Sequence, residues 1–165
     1  MNLSRIFKHL FYPGWWLRRD FPSEELAKIE SAIAQSELKH SGEIRFAIES
    51  ALPLKALWHD ESTPERAIEV FSLLRVWDTE DNNGILIYLL LADHKVEITA
   101  DRNINKVVDS GEWQRICHVM ETHFKRGNFG EGVIQGINEI SQILEEYFPI
   151  KDNDQNELSN KPVIL

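Results

Sequence analysis

Cysteine is almost missing from this 165-residue chain. Cys117 stands alone, which excludes an intrachain disulfide and any cysteine-built zinc cluster and suits a reducing compartment. Long apolar runs are missing too: the block ILIYLLLA, Ile85 to Ala92, stops at Asp93, well short of the roughly 18 residues that a membrane-spanning helix needs. The first residues, MNLSRIFKHLFYPGWWLRRDF, hold no unbroken apolar stretch followed by a small-residue cleavage site. No secretory signal is read there, and a cytoplasmic location is expected. Positive charge is scarce, with 18 Lys and Arg against 27 Asp and Glu and a formal net charge of −9. Nucleic acid is bound through clustered Lys and Arg, so this balance argues against it as a partner and favours attraction of cations.

Catalytic signatures are equally sparse. No GxSxG elbow occurs, Ser50 has no evident base, and His9, His40, His59, His94, His118 and His123 lack the spacing of metal-ligating pairs; they are read as surface or capping residues. Cys117 and His118 are adjacent on a helical pattern and point in different directions, so they form no dyad, and Cys117 falls on the apolar stripe. The loop DTEDNNG, Asp78 to Gly84, lacks the downstream Glu of an EF-hand, and GNFGEG follows a helix rather than the strand that precedes phosphate-binding loops.

What remains fits one domain with a sizeable core: 42% of residues are hydrophobic and five are Trp. Three regions are expected: a basic aromatic arm at 1–20, a globular part at 21–149 and a polar tail at 150–165. The arm sums to +3, from Arg5, Lys8, Arg18 and Arg19 against Asp20, which leaves −12 for the rest of the chain. Leu3, Ile6, Phe7, Leu10 and Phe11 recur at helical spacing, and Trp15 and Trp16 follow a Pro-Gly break. Such a segment either packs across the domain or, through residues 3–19, meets an anionic membrane surface or a protein partner.

Along the globular part, Ser23 is placed to cap a helix running to about Lys39, with Ser41-Gly42 ending it. EIRFAIES alternates as a half-buried strand. Thr63 and Pro64 read as a cap and a first-turn proline, followed by the stripe Ala67, Val70, Phe71, Leu74 and Trp77. The run Ile85 to Leu91 reads as a central strand covered on both faces, with Tyr88 buried and its hydroxyl paired. Ala92-Asp93-His94 turns it into an antiparallel partner, Lys95 to Thr99. A helix capped by Ser110 and closed by Gly127 follows, then one from about Phe129 to Tyr147 that Pro149 stops; the tail KDNDQNELSNK is polar and expected to be mobile, with Pro162 to Leu165 placed to dock. The fold class is α/β: a three-layer α/β/α sandwich on a small mixed sheet, with the first two strands parallel through a right-handed crossover and the third antiparallel by hairpin.

That topology gathers Glu43, Asp78, Glu80, Asp81, Asn82, Asn83 and Asp101 at one edge of the sheet. Carboxylate and amide oxygens are the ligands of hard divalent cations such as calcium and magnesium. Glu43, Asp81, Asn83 and Asp101 are therefore the candidate ligands, and the alternative is that they are solvated turn formers.

Four stretches in order, SGEIRFAIES, NNGILIYLLLADHKVEITADRNI, EWQRI and HFKRGNFGEGVIQGINEISQILEEYFP, resemble the TPM-domain family over about Phe21 to Pro149. The chain looks like the short soluble bacterial branch, which has neither signal peptide nor C-terminal membrane helix. The resemblance implies an α/β/α sandwich, an association with divalent cations and, from plant members, an acid phosphatase activity. Gly42 to Arg45, Asn83-Gly84 and Asp101 match the family pattern, whereas Ala100 and Asn103 stand where the family often has Gly. Asn tolerates left-handed backbone better than other non-Gly residues, so the turn is expected to survive with Asn103 in place of Gly. The leading expectation is a cation-binding or accessory module. A metal-assisted phosphomonoesterase is the alternative, with Arg45 and Arg102 as phosphate holders only if both face the same edge, since no Lys or Arg cluster is evident.

Overall fold

The computed structural model describes residues 3–152 and 154–165. Two short helices open the chain, α1 (Leu3–Leu10) and α2 (Trp15–Asp20), followed by α3 (Ser23–Ser36) and strand β1 (Glu43–Glu49). The connection from β1 runs through α4 (Leu54–Trp58) and α5 (Thr63–Leu73) to β2 (Gly84–Leu90). Then come β3 (Lys95–Ala100), the single-turn α6 (Arg102–Asn105), α7 (Ser110–Phe124), α8 (Phe129–Tyr147) and, in the tail, β4 (Val163–Ile164).

The strands form one sheet in the order β3-β2-β1-β4, with β1 and β2 parallel and β2 and β3 antiparallel, as the pattern requires. Alternation in β1 sends Ile44, Phe46 and Ile48 to one face, where they join Ile85, Ile87 and Leu89 of β2 under α3, α7 and α8. The opposite face carries Ala47, Leu86, Tyr88 and Leu90 under Ala56 and Leu57 of α4 and Ala67, Val70 and Phe71 of α5. Every residue of β2 is buried, the state of a central strand roofed on both sides. Helices above and below the sheet complete the α/β/α sandwich.

Several local expectations are corrected. The cap of α5 is Ser62, not Thr63: its hydroxyl accepts from the Glu65 N–H at 3.4 Å while the Glu65 carboxylate accepts from the Ser62 N–H at 2.8 Å. This reciprocal pair satisfies two donors that the helix start leaves free. Helix α5 ends at Leu73, so Trp77 lies beyond it and is exposed. Helix α3 stops at Ser36 rather than Lys39, and Ser23 makes no capping bond; Asp109, not Ser110, caps α7 by accepting from Gly111 N–H at 2.7 Å. Two histidines read as surface residues are buried. His9 accepts the Leu52 N–H on Nδ1 and bonds Asp93 through Nε2, both at 2.9 Å, while burial holds His40 down at about 4 and therefore neutral. Asn103 is helical; left-handed backbone falls instead on Asn82 (φ 51°) and, in the hairpin turn, on His94 (φ 53°).

The polar tail, expected to be mobile, is instead bonded into the fold along its described residues: Glu157 and Leu158 donate to Glu43, and Lys151 pairs with Asp81. Val163 and Ile164 pair in parallel with Ala47 and Ile48, Leu165 N–H donates to Ile48 at 2.9 Å, and Leu158 packs against the α5-side core. A two-residue strand was below what periodicity can detect, although the docking of Pro162 to Leu165 was anticipated.

Candidate functional site at the acidic sheet edge

Three segments meet around Gly84. Glu43 opens β1 opposite Gly84 and donates its N–H to the Asn83 carbonyl at 3.2 Å; Asp101 leaves β3 and donates its N–H to the Gly84 carbonyl at 2.9 Å. Gly84 is demanded by packing, because a Cβ there would sit 2.0 Å from the carbonyl oxygen of Val76. The loop before it is held by Asn82 and Asn83 accepting and donating through their own backbones: Asn83 N–H donates to Thr79 Oγ1 at 3.1 Å, and Asn103 N–H to the Asn82 carbonyl at 3.2 Å. The Asn103 side chain donates in turn to the Asp81 carbonyl, tying α6 to the loop.

The four candidate ligands meet different fates here. Asn83 is buried and donates through Nδ2 to the Ser41 carbonyl, which leaves its Oδ1 buried without a donor. Asp101 caps α6, its Oδ1 accepting from Arg102 N–H at 2.6 Å, and its Oδ2 is likewise buried without a donor. Glu43 is buried and its two oxygens accept the backbone N–H groups of Glu157 and Leu158 at 3.1 and 3.0 Å. Burial pushes this carboxyl above its ordinary range, and the two tail N–H groups offset part of the rise. Asp81 is paired with Lys151 of the tail.

The tail therefore lies across this edge. Between it and the loop is a cleft of about 450 Å³ bordered by Glu80, Asp81, Lys151, Asp152, Asp154 and Glu157. Burial raises the Asp154 carboxyl, and Lys151 opposes that rise. Among the described residues no group of three or more His, Cys, Asp or Glu is arranged to hold a metal ion.

Sequence reasoning missed Glu37. It follows α3, accepts the Ile44 N–H at 3.0 Å and lies near Glu43; burial first, then the Glu43 charge, carry its carboxyl up to about 8 against the opposing Ile44 bond. A Glu after a helix has no distinctive pattern, so only the fold reveals it. Of the two arginines considered, Arg102 stands at the edge and donates to Asn82 Oδ1 through Nε at 2.7 Å, whereas Arg45 lies within β1, partly desolvated and facing Glu37 electrostatically.

At the opposite end of β1 and β2 a closed network forms. Glu49 accepts the Tyr88 hydroxyl at 2.6 Å and two Arg66 nitrogens, each at 2.9 Å, so Tyr88 is buried and paired as expected. Burial raises the Cys117 thiol to about 12, which makes it a core group rather than a nucleophile.

A TPM-domain family model matches residues 21–143. The NMR structure of the BA42 protein from the psychrophilic bacterium Bizionia argentinensis is similar at a TM-score of 0.76 and 34% identity, over 87% of this chain and 94% of that one. The solution structure of the N-terminal domain of a P. gingivalis protein shares the fold at a TM-score of 0.57 and 20% identity, over 74% and 76% of the two chains. No curated protein matches the chain. No helix among the described residues is long and apolar enough to cross a membrane. With a matching family model over most of its length and a relative one-third identical along nearly all of it, this chain belongs to the TPM-domain family.

Proposed function

We propose that this TPM-domain chain is a binding or accessory module that takes a divalent cation at the edge around Gly84. Asp101 Oδ2 and Asn83 Oδ1 are its first two ligands. The supporting observation is that pair of oxygens: both are buried, both lack a donor, and each belongs to a segment held to Gly84 or its neighbour. A buried acceptor left unpaired costs about 1–3 kcal/mol, so a bound cation would relieve both. One carboxylate and one amide leave most coordination positions to water, which suits magnesium better than calcium with its six to eight oxygen ligands. Glu43 and Asp81 join only when the tail gives them up, since Glu43 holds two tail N–H groups and Asp81 holds Lys151.

Calorimetry with magnesium, calcium and manganese tests this reading. Asp101→Asn keeps an acceptor for the α6 cap but removes the charge, and it is expected to weaken binding by about tenfold or more, the scale on which even outer-sphere partners act. Absence of binding by the unaltered protein, or affinity unchanged in Asp101→Asn, overturns it.

Arg102 beside Asp101 favours a second reading, a metal-assisted phosphomonoesterase in which the guanidinium would swing from Asn82 to a phosphoryl group. Turnover of a generic phosphomonoester by purified protein, lost in Asp101→Ala and in Arg102→Ala, is the outcome that this reading requires.

A further inference from the structure

The first helix is mounted with its polar side inward. Arg5 donates to Asp93 at 2.9 Å and to the Glu61 carbonyl at 2.6 Å, and the buried His9 ring is bonded at both nitrogens, to Leu52 N–H and to Asp93. Ile6 packs on the α5-side core and α1 lies against α4. These bonds fix the rotation of α1 and turn its apolar stripe outward: Leu3 is 59% exposed, Phe7 59%, Leu10 54% and Phe11 72%. Phe7 and Phe11 stack at 6.2 Å, and Trp15 at the start of α2 is exposed as well, at 62%. A helix docked for stability alone would bury this face and leave the charges in water.

We infer that α1 and α2 form a docking surface for an anionic lipid bilayer. Charge selects this occupant. Residues 1–20 sum to +3 and the remainder to −12; with Asp93 counted beside its partner Arg5, this end still carries +2 against −11, so a negatively charged surface attracts it and repels the rest, which orients the apolar stripe toward the lipid. Lys8, 4.0 Å from Asp93, and Arg18 are exposed on the same two helices, and Arg19, paired with Asp20, lies 5.8 and 5.0 Å from the Trp15 and Trp16 rings. Apolar side chains that enter the acyl boundary, with Trp and basic groups at headgroup level, are the arrangement of helices that lie on a membrane rather than cross it. This surface is separate from the Gly84 edge, and its use does not depend on cation binding there.

The test is co-sedimentation of the full chain with vesicles of phosphatidylcholine alone or mixed with phosphatidylglycerol, at low and high salt. Binding is expected on the mixed vesicles at low salt and about tenfold weaker or more on phosphatidylcholine alone, given the contribution of each basic residue near an anionic surface. The double variant Phe7→Ser with Phe11→Ser is expected to lose binding while melting as the unaltered protein does. Lys8→Glu with Arg18→Glu, which spares the apolar stripe, is expected to lose the preference for anionic lipid. Equal binding to both vesicle types overturns the inference, as does no binding to either. A dimer in vesicle-free solution that Phe7→Ser with Phe11→Ser dissociates also overturns it, since a second copy would then own the face.

Discussion

The Asp101 N–H donates to the Gly84 carbonyl at 2.9 Å, so the end of the β2–β3 hairpin is fastened beside Asn83. A proposed ligand position and a close-packed glycine are thereby part of one construction: Gly84 fits only because it has no side chain against Val76, and Asn83 and Asp101 flank it. Folding the edge and building the candidate site are the same event.

Gly84→Ala tests this coupling. With backbone rather than a flexible side chain in the way, the added methyl must push β2 away from the Val76 turn, and a loss of about 1–3 kcal/mol in urea denaturation is expected.

Asp93 anchors the N-terminal helix. Burial alone would raise its carboxyl, but the His9 and Arg5 hydrogen bonds outweigh that and hold it at about 2, below its ordinary 3.8. The stability it contributes is full above 3.8 and is lost as pH falls through about 2. Asp93→Asn is expected to loosen α1 at neutral pH by about 1–3 kcal/mol, read as faster hydrogen exchange of the α1 amides with the sheet amides unaffected.

Glu37 acts in the opposite sense. Its folded-state value of about 8 lies above the ordinary 4.5, so its contribution to stability is full below 4.5 and disappears as pH rises through about 8. Glu37→Gln keeps an acceptor for the Ile44 N–H and removes the ionisation. Thermal melts are expected to show the unaltered protein losing stability across that window more steeply than the variant does.

Ser62→Ala removes the α5 capping pair, and a loss of about 1 kcal/mol is expected from denaturant titration. Thr63→Ala, one residue on, would leave that pair intact.

The layers of the sandwich could be read from the continuous run ILIYLL, which demands cover on both faces, and the hairpin turn at Asp93-His94 leaves only one direction for β3; the alternation in EIRFAIES suggested one buried face, whereas β1 is covered on both and only Arg45 is partly exposed. The convergence of Glu43, Asn83 and Asp101 on Gly84 followed from that topology. Partners could not be read. Nothing local says that Glu43 spends its oxygens on Glu157 and Leu158, more than a hundred residues away, or that His9 is drawn into the core by Asp93. Such bonds are set by tertiary approach, and the polar tail has no pattern that announces a strand.

The most direct measurement follows backbone amide signals while manganese is added. Its paramagnetism broadens signals near the bound ion, so the account predicts selective loss at Asn83, Gly84, Asp101 and Arg102 at low metal concentration, reversed by excess magnesium. Broadening confined to Glu80, Asp152 and Asp154 in the tail cleft, or spread evenly over the acidic surface, would contradict it.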